Sequence, residues 1–392
     1  MRRNIAIESK ANVGGDCPRQ IDGMRIPRRQ AILPPYIMRQ LNAAESPGLR
    51  QAAARTTALD IGFRRQRQQP SSGARPEVHP GQAKLTIYDA EHGEILPGVA
   101  VRESGQESVS DPAVNEAWEG LNTTVRFLSE IFKRHSFDDD GTPLVASVHF
   151  GNQYMNAFWD GSQMVFGDGD GIIFRPFTGA IDVIGHELGH GVIADEGELA
   201  YVYEPGALNE SLADVLGSMV KQFHLGQTAR QADWLIGDQL LTSRVQGQGL
   251  RSLSMPGTAY NDPILGRDPQ PAHMRDFVRT RDDNGGVHVN SGIPNRAFYL
   301  AATAIDGPSW ECAGLIWYDA LRNAAVSPAT DFAQFARLTE NAAARRFGND
   351  SKQWAAVHEA WRGVGIEARP SERPLPWPLS RLGAPLGGAQ LG

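Results

Sequence analysis

The stretch HELGH, residues 186–190, decides the fold, and NESLAD follows it at residues 209–214. On an α-helix, residues four apart share a face, so His186 and His190 can direct their imidazoles at one ion. Glu187 lies one step round the helix, where it is suited to act as a general base and not as a ligand. The five-residue pattern recurs by chance, and two ordinary surface histidines explain it equally well when it stands alone.

A second helix is predicted over residues 205–223, because a proline and a glycine open a run with apolar residues at helical spacing. Glu210 and Asp214 share one face of this helix. Glu210 completes a His/His/Glu set, which is the ligand pattern of catalytic zinc. Asp214 can accept a hydrogen bond from the free ring nitrogen of His186. An exposed acidic helix face explains either residue singly, but it does not explain the whole set.

The composition is typical of a soluble globular protein, with 392 residues of which 41% are hydrophobic and 21% charged. No apolar run approaches the roughly 18 residues that span a bilayer, so no membrane association is expected. The two cysteines do not form a disulfide framework. The N-terminus lacks the apolar core of a secretory signal. We therefore expect a cytoplasmic location, or export by a route without a classical signal peptide.

The charge is divided unevenly along the chain. The net charge is −7, yet residues 1–80 carry +8, so the rest carries −15. Composition and periodicity change at the same place, and they predict four regions. Residues 1–82 form an N-terminal extension, 83–204 a β-rich part that includes the HELGH helix, 205–367 a helical part, and 368–392 a tail rich in Pro and Gly.

Residues 83–367 resemble the thermolysin-like neutral metallopeptidases, and within them the protealysin-like branch. The resemblance rests on the spacing of HELGH and NESLAD, on NAFWDGSQMVFGDGDG (156–171) and on DNGGVHVNSGIPNRAFYLA (283–301). It implies an α+β fold with a β-rich N-terminal subdomain, an α-helical C-terminal subdomain and a zinc cleft between them. It also implies a zinc-dependent endopeptidase that acts as a monomer on protein or peptide substrates.

The same resemblance implies roles for individual residues. His186, His190 and Glu210 would hold Zn²⁺, and Glu187 would be the general base. His288 and Tyr201 would be the oxyanion donors. Asp283 and Asp214 would be the carboxylates that orient histidines.

The resemblance also implies the residues that bind substrate. Asn156, the Ala157 carbonyl and Arg251 match positions that bind a substrate backbone. An apolar pocket for the residue after the scissile bond is implied at Phe174, Phe177, Val183, Ile236 and Leu250, and it predicts cleavage before bulky hydrophobic residues. Each of these five is equally consistent with plain core packing.

Calcium is a second candidate cofactor. Asp182, Asp233 and Asp238 match calcium positions of the family, which predicts at most one Ca²⁺. Lys221 stands where a shared bridging glutamate would be, and its ammonium can pair with the same carboxylates.

The N-terminal extension resembles a short propeptide, because ILPPYIM (residues 32–38), with PPYIM at 34–38, is similar to a motif of the protealysin-like branch. The chain is then a zymogen whose own propeptide inhibits it and is removed by autoprocessing. The exposed linker 68–82 is the expected cleavage region.

Two other classes of function remain open. A catalytically dead, metal-bound interaction domain would be indicated by loss of Glu187 or His288, and both are present. A nucleic-acid-binding arm would interleave aromatic residues with its arginines. Only Tyr36 and Phe63 are aromatic in residues 1–80, so no nucleic-acid partner is expected.

Overall fold

The computed structural model describes residues 30–66, 84–197 and 199–368. The predicted linker 68–82 and residues 369–392 of the predicted tail lie outside the described residues. Among the helices in the described ranges, none combines the length and apolarity needed to cross a membrane.

The strands are short, and most of them lie in the first half of the chain. They are β1 (Gln30–Ala31), β2 (Leu85–Asp89), β3 (Val99–Glu103), β4 (Leu144–Val148), β5 (Ala157–Trp159), β6 (Met164–Phe166), β7 (Leu235–Ile236), β8 (Arg251–Ser252), β9 (Asn261–Asp262) and β10 (Gly266–Arg267).

The helices dominate the second half of the chain. They are α1 (Pro35–Asn42), α2 (Pro47–Gln66), α3 (Pro112–Ile131), α4 (Ile181–Glu196), α5 (Tyr203–Leu225), α6 (Asp283–Asn290), α7 (Gly292–Ile305), α8 (Ala313–Leu321), α9 (Phe332–Phe347) and α10 (Lys352–Gly363).

A mixed sheet of six strands has the order β1-β5-β6-β4-β2-β3. Strands β2, β4 and β6 run parallel, whereas β5 is antiparallel to β6 and β1 is antiparallel to β5. The central strands are apolar on both faces, as expected for strands covered on both sides. One edge strand, β1, comes from the N-terminal extension, so this extension is part of the sheet.

Helix α4 follows the sheet and packs closely on α5. The approach requires small residues, because a Cβ atom on Gly217 would lie 2.2 Å from the backbone oxygen of Asp182 and 3.0 Å from the His186 nitrogen. On α4, a Cβ atom on Gly185 would lie 3.0 Å from the Gly217 Cα atom. Glycine at these positions lets two buried helices bring their polar side chains within reach of one another.

One hydrophobic core continues from the sheet through α4 and α5 into helices α7 to α10. All six strands of the sheet precede the HELGH helix α4 in the sequence, and helices α5 to α10 follow it. The predicted α+β fold, with a β-rich part and an α-helical part, is confirmed.

Candidate active site

Helices α4 and α5 bring three metal-ligand atoms together. The Nε2 atoms of His186 and His190 lie 3.1 Å apart. Glu210 places its carboxylate oxygens 3.7 Å from the His186 Nε2 atom and 3.6 Å from the His190 Nε2 atom. All three residues are buried, and they form one of two groups among the described residues whose geometry can hold a metal ion.

The three residues fit a divalent metal ion. The Nδ1 atom of His186 bonds Asp214 at 2.8 Å and that of His190 bonds Asn209 at 2.8 Å, which leaves both Nε2 atoms facing the same space. Burial lowers the pKa of His190 well below its ordinary value, and the His186 imidazole lowers it further, so a neutral ligand is favoured. The Oε2 atom of Glu210 is buried without a hydrogen-bond partner. Two neutral imidazoles and a carboxylate are the donor set that suits zinc.

Glu187 is fully buried on the same helix and is held by the sheet. Its Oε2 atom accepts a hydrogen bond of 2.9 Å from the backbone amide of Trp159 in β5. The carboxylate is therefore fixed between α4 and the strand that also carries Ala157.

His288 and Tyr201 both lie beside Glu210 of the ligand set. The Tyr201 hydroxyl is 3.3 Å from the His288 Nε2 atom and donates a hydrogen bond to Glu210. Asp283 accepts bonds from the His288 Nδ1 atom at 2.7 Å and from the His288 backbone amide at 2.9 Å. Burial lowers the pKa of His288, but the carboxylates of Asp283 and Glu210 outweigh it and raise the pKa to about 9. The Nε2 atom is thereby kept as a donor.

The chain reaches this geometry through left-handed backbone at the start of α6. Gly285 and Gly286 have φ angles of 90° and 80°, a conformation that glycine adopts without strain. Side chains other than glycine would also collide at Gly285, where a Cβ atom would lie 2.3 Å from the Tyr203 ring. The turn carries the backbone from Asp283 round to His288.

Asp214 holds Arg251 as well as His186, whereas the sequence predicted only the histidine. Besides His186, it accepts bonds from the Arg251 Nε atom at 2.9 Å and from the Arg251 Nη2 atom at 2.8 Å. Burial raises the pKa of Asp214, but Arg251 and His186 outweigh burial and hold the pKa well below its ordinary value. The ionised carboxylate therefore connects the metal ligand His186 to the Arg251 guanidinium through hydrogen bonds.

The N-terminal extension occupies the positions predicted for a substrate backbone. The Ala157 carbonyl accepts a bond from the Ile32 amide at 3.1 Å, and the Asn156 Oδ1 atom accepts one from the Leu33 amide at 3.0 Å. The Arg251 Nη1 atom donates to the Ile32 carbonyl at 3.0 Å. All three predicted substrate-binding groups therefore hold two consecutive residues of the extension.

The extension adopts the geometry of an added β-strand at this place. β1 pairs with β5 in antiparallel register, with Ala31 opposite Phe158. The Ala31 carbonyl oxygen lies 3.3 Å from the His288 Nε2 atom. A backbone carbonyl thus lies beside the residue predicted to stabilise an oxyanion.

The five residues predicted to form an apolar pocket are all buried, and they belong to the same core cluster as Ile32 and Leu33. The rings of Phe174 and Phe177 lie 5.8 Å apart. The Leu250 amide donates a hydrogen bond of 2.8 Å to the Ile236 carbonyl, so these two residues are also neighbours.

The three predicted calcium ligands surround Lys221. Its Nζ atom lies 2.7 Å from Asp238, 2.9 Å from Asp233 and 3.6 Å from Asp182. Burial raises the pKa of Asp182 to about 6, although the Lys221 ammonium lowers it. The ammonium occupies the centre of these carboxylates.

Two residues near the metal set were missed from the sequence. Asn209 bonds His190, and the Asn295 Nδ2 atom donates to Asp214 at 2.8 Å. Asn209 is adjacent to Glu210 in NESLAD. Its position on the predicted helix could therefore have indicated that it lies near the metal ligands. Asn295 comes from α7, and no spacing in the sequence relates it to Asp214.

Two family models match the chain. A model described as the catalytic domain of thermolysin metallopeptidase matches residues 79–194, and one described as the α-helical domain of thermolysin metallopeptidase matches residues 197–366. Together they cover most of the described chain.

Individual proteins are also similar over most of their length. The "Extracellular metalloprotease" of Pectobacterium carotovorum subsp. carotovorum is 52% identical over 86% of this chain and 97% of its own. The "Extracellular minor metalloprotease" of Serratia marcescens is 40% identical over 71% of this chain and 79% of its own. The solved precursor of protealysin from Serratia proteamaculans has a TM-score of 0.78 and 52% identity, and covers 86% of this chain and 99% of its own.

The location predicted from the sequence requires correction. A cytoplasmic protein, or one exported without a classical signal peptide, was expected because residues 1–20 include basic residues but no apolar segment. The relatives are named extracellular metalloproteases, which indicates secretion. The pattern at the start of the given sequence therefore did not exclude secretion.

Proposed function

Because the chain belongs to the thermolysin family of metallopeptidases, we propose that it is a secreted zinc endopeptidase whose own N-terminal segment blocks the cleft. The observation that carries the proposal is the binding of residues 31–33 by Asn156, Ala157, Arg251 and His288. These groups are spread along the chain, and they converge on one extended backbone. A substrate would replace that backbone.

His186, His190 and Glu210 would hold the zinc ion. Zinc supplies Lewis-acid polarisation of a carbonyl oxygen and lowers the pKa of a water molecule. Asp214 and Asn209 keep the two imidazoles in the tautomer that leaves Nε2 free.

Glu187 is the general base of this proposal. Its carboxylate takes a proton from the attacking water and later gives it to the nitrogen of the leaving amine, as the C–N bond breaks. The Trp159 amide holds the carboxylate through Oε2.

His288 and Tyr201 are the oxyanion donors. They lie together, and their donor atoms face the Ala31 carbonyl and the Glu210 carboxylate. Donors fixed before the reaction stabilise the negative charge that develops on the carbonyl oxygen. Asp283 holds His288 for this purpose.

The apolar pocket supports cleavage before bulky hydrophobic residues. Ile32 is fully buried in the same cluster as the pocket residues. Its backbone amide and carbonyl are the groups bound by Ala157 and Arg251. We infer that Ile32 marks the place of the substrate residue whose side chain sets specificity.

Lys221 argues for an enzyme without calcium at the predicted acidic cluster. The ammonium, at 2.7–3.6 Å from three carboxylates, occupies their centre and neutralises one of the negative charges that Ca²⁺ would otherwise meet. We propose that this lysine replaces the metal ion, and that zinc is the only cofactor that the reaction requires.

The test is a peptidase assay on the mature protein with and without a zinc chelator. Casein and a furylacryloyl dipeptide with leucine after the scissile bond should both be cleaved, and the chelator should abolish cleavage. Re-added zinc should restore it. The leucine dipeptide should be cleaved faster than its aspartate counterpart. Activity that survives full removal of zinc would overturn the proposal.

A further inference from the structure

A second cluster of metal-ligand side chains lies away from the catalytic set, on the three parallel strands of the sheet. His92 follows β2, His149 follows β4 and Asp168 follows β6. Since these strands run parallel and are neighbours, their C-terminal ends meet at one edge of the sheet. The topology therefore gathers three residues that are far apart in the sequence.

The ligand atoms of the cluster have the spacing of a metal site. The His149 Nδ1 atom lies 2.9 Å from the Asp168 Oδ1 atom, and the His92 Nδ1 atom lies 3.3 Å from the Asp168 Oδ2 atom. The catalytic set in the same chain shows 3.1–3.7 Å between its ligand atoms. Ligands about 2.0–2.2 Å from one tetrahedral zinc ion fall in this range of mutual distances.

The backbone keeps the two imidazoles in place. The His92 amide donates to the His149 carbonyl at 2.9 Å, and the Gly151 amide donates to the Gly93 carbonyl at 2.9 Å. Two hydrogen-bonded turns thus present the imidazoles side by side, with ring centroids 5.4 Å apart.

A fourth residue provides the outer carboxylate that histidine ligands of metals usually have. The Asp111 Oδ2 atom accepts a hydrogen bond of 2.8 Å from the His149 Nε2 atom, and its Oδ1 atom caps helix α3 by accepting from the Ala113 amide. With its proton on Nε2, bonded to Asp111, the His149 ring would leave the Nδ1 lone pair free for an ion placed between Asp168 and His92.

We propose that His92, His149 and Asp168 bind a second divalent metal ion of the zinc class, with Asp111 orienting His149. Imidazole nitrogens favour zinc, whereas calcium requires a shell of six to eight oxygens. His92 is 60% exposed and Asp168 25%, so the ion can enter from solvent and keep a water ligand.

The site is structural in this proposal. The backbone amides on either side of Asp168 bond the segment that precedes β5: Gly167 donates to the Asn156 carbonyl and Gly169 to the Tyr154 carbonyl. The ion would hold together the C-terminal ends of β2, β4 and β6, next to the segment that carries Asn156. It therefore adds stability without taking part in peptide hydrolysis.

The test counts zinc per chain. The wild-type chain is dialysed against buffered free zinc, and bound zinc is measured by mass spectrometry. We expect two equivalents for wild type, one for His92→Ala and two for the control His224→Ala, which removes an exposed histidine outside both sets. Asp111→Asn keeps a good helix cap and should weaken the second site by about 10–100-fold.

Thermal unfolding is the second measurement. Zinc beyond the first equivalent should raise the melting temperature of wild type and His224→Ala, but not that of His92→Ala. Calcium alone should not replace zinc in either measurement. One equivalent in wild type, or the same count in wild type and His92→Ala, would overturn the proposal and leave His149 as an ion-pair partner of two carboxylates.

Discussion

Glu187 accepts a hydrogen bond from the backbone amide of Trp159 through one carboxylate oxygen, at 2.9 Å. This bond ties the general base on α4 to the edge of the sheet along which a peptide would lie. A glutamine at this position can still accept from the same amide through its own side-chain oxygen. The fold and the proton-transfer role can therefore be separated by one substitution.

Glu187→Gln should keep its catalytic zinc and lose peptidase activity by about 10²–10⁴-fold, since general acid–base catalysis is what it removes. Zinc content and casein hydrolysis, measured on the same sample, check this. His190→Ala is the contrasting variant and should lose the ion itself. Undiminished turnover in a fully loaded Glu187→Gln protein would refute the assigned role.

His288→Ala should lower kcat by about 10²–10³-fold with little change in KM, the effect of losing one oxyanion donor. Its Nε2 atom lies beside a carbonyl oxygen of the extension, the group whose charge grows during hydrolysis. Steady-state kinetics on the leucine dipeptide separate the two constants. An effect on KM alone would reassign His288 to substrate binding.

Local spacing explains why much of the catalytic set could be predicted from the sequence. His186 and His190 share a helix face, and so do Glu210 and Asp214. The spacing does not predict that α4 packs on α5, which is what brings the two pairs together. Asn295 and the cluster of His92, His149 and Asp168 were not predicted. Their proximity depends on helix packing and on the order of parallel strands, and neither leaves a spacing in the sequence.

The double role of Asp214 was missed for a related reason. The partner Arg251 lies on β8, far along the chain, and a carboxylate four residues from a ligand indicates only its nearest histidine. The extension was better predicted, because ILPPYIM is an isolated apolar motif in a basic segment. Its pairing with β5 as a strand was not visible in the sequence, since β1 contains only two residues.

Lys221→Met should destabilise the protein by roughly 3 kcal/mol at pH 8, because it leaves the buried Asp182 carboxylate without its counter-charge. The loss should be smaller at pH 5. Asp182 has a folded pKa of about 6, above its unfolded value, so its favourable contribution is present at low pH and is lost as the pH rises. Chemical denaturation at both pH values measures the difference.

Lys221→Glu is the companion variant. It creates a fourth carboxylate in the cluster, and oxygen ligands of this kind suit calcium. Calcium chloride should raise the melting temperature of Lys221→Glu and leave that of wild type unchanged. An equal response of wild type to calcium would show that the ion binds beside the lysine, and the proposed replacement would be wrong.

Autoprocessing should shorten the wild-type chain by about 8–9 kDa, on the assumption of about 80 residues removed. Glu187→Gln should stay full length, because it lacks the base that cleaves the linker. A trace of active enzyme should convert it if the cut occurs between molecules. N-terminal sequencing should place the new terminus between about residues 70 and 86, because the composition of residues 68–82 predicts a linker. A stable, fully active full-length wild type would contradict the zymogen.

Ile32→Asp should release the block without any cleavage. The Ile32 side chain is fully buried, and its backbone holds the bonds to Ala157 and Arg251, so a carboxylate there expels the segment from the cleft.

The matched control is Ile61→Asp, the same substitution at a residue of the extension that is 44% exposed. Each protein is purified under chelation, and zinc is added to start the reaction. Wild type and Ile61→Asp should show a lag while the extension is removed, whereas Ile32→Asp should hydrolyse the leucine dipeptide at once, with the chain still intact on a gel. If Ile32→Asp shows the same lag as Ile61→Asp, the contacts of residues 31–33 do not block the active site.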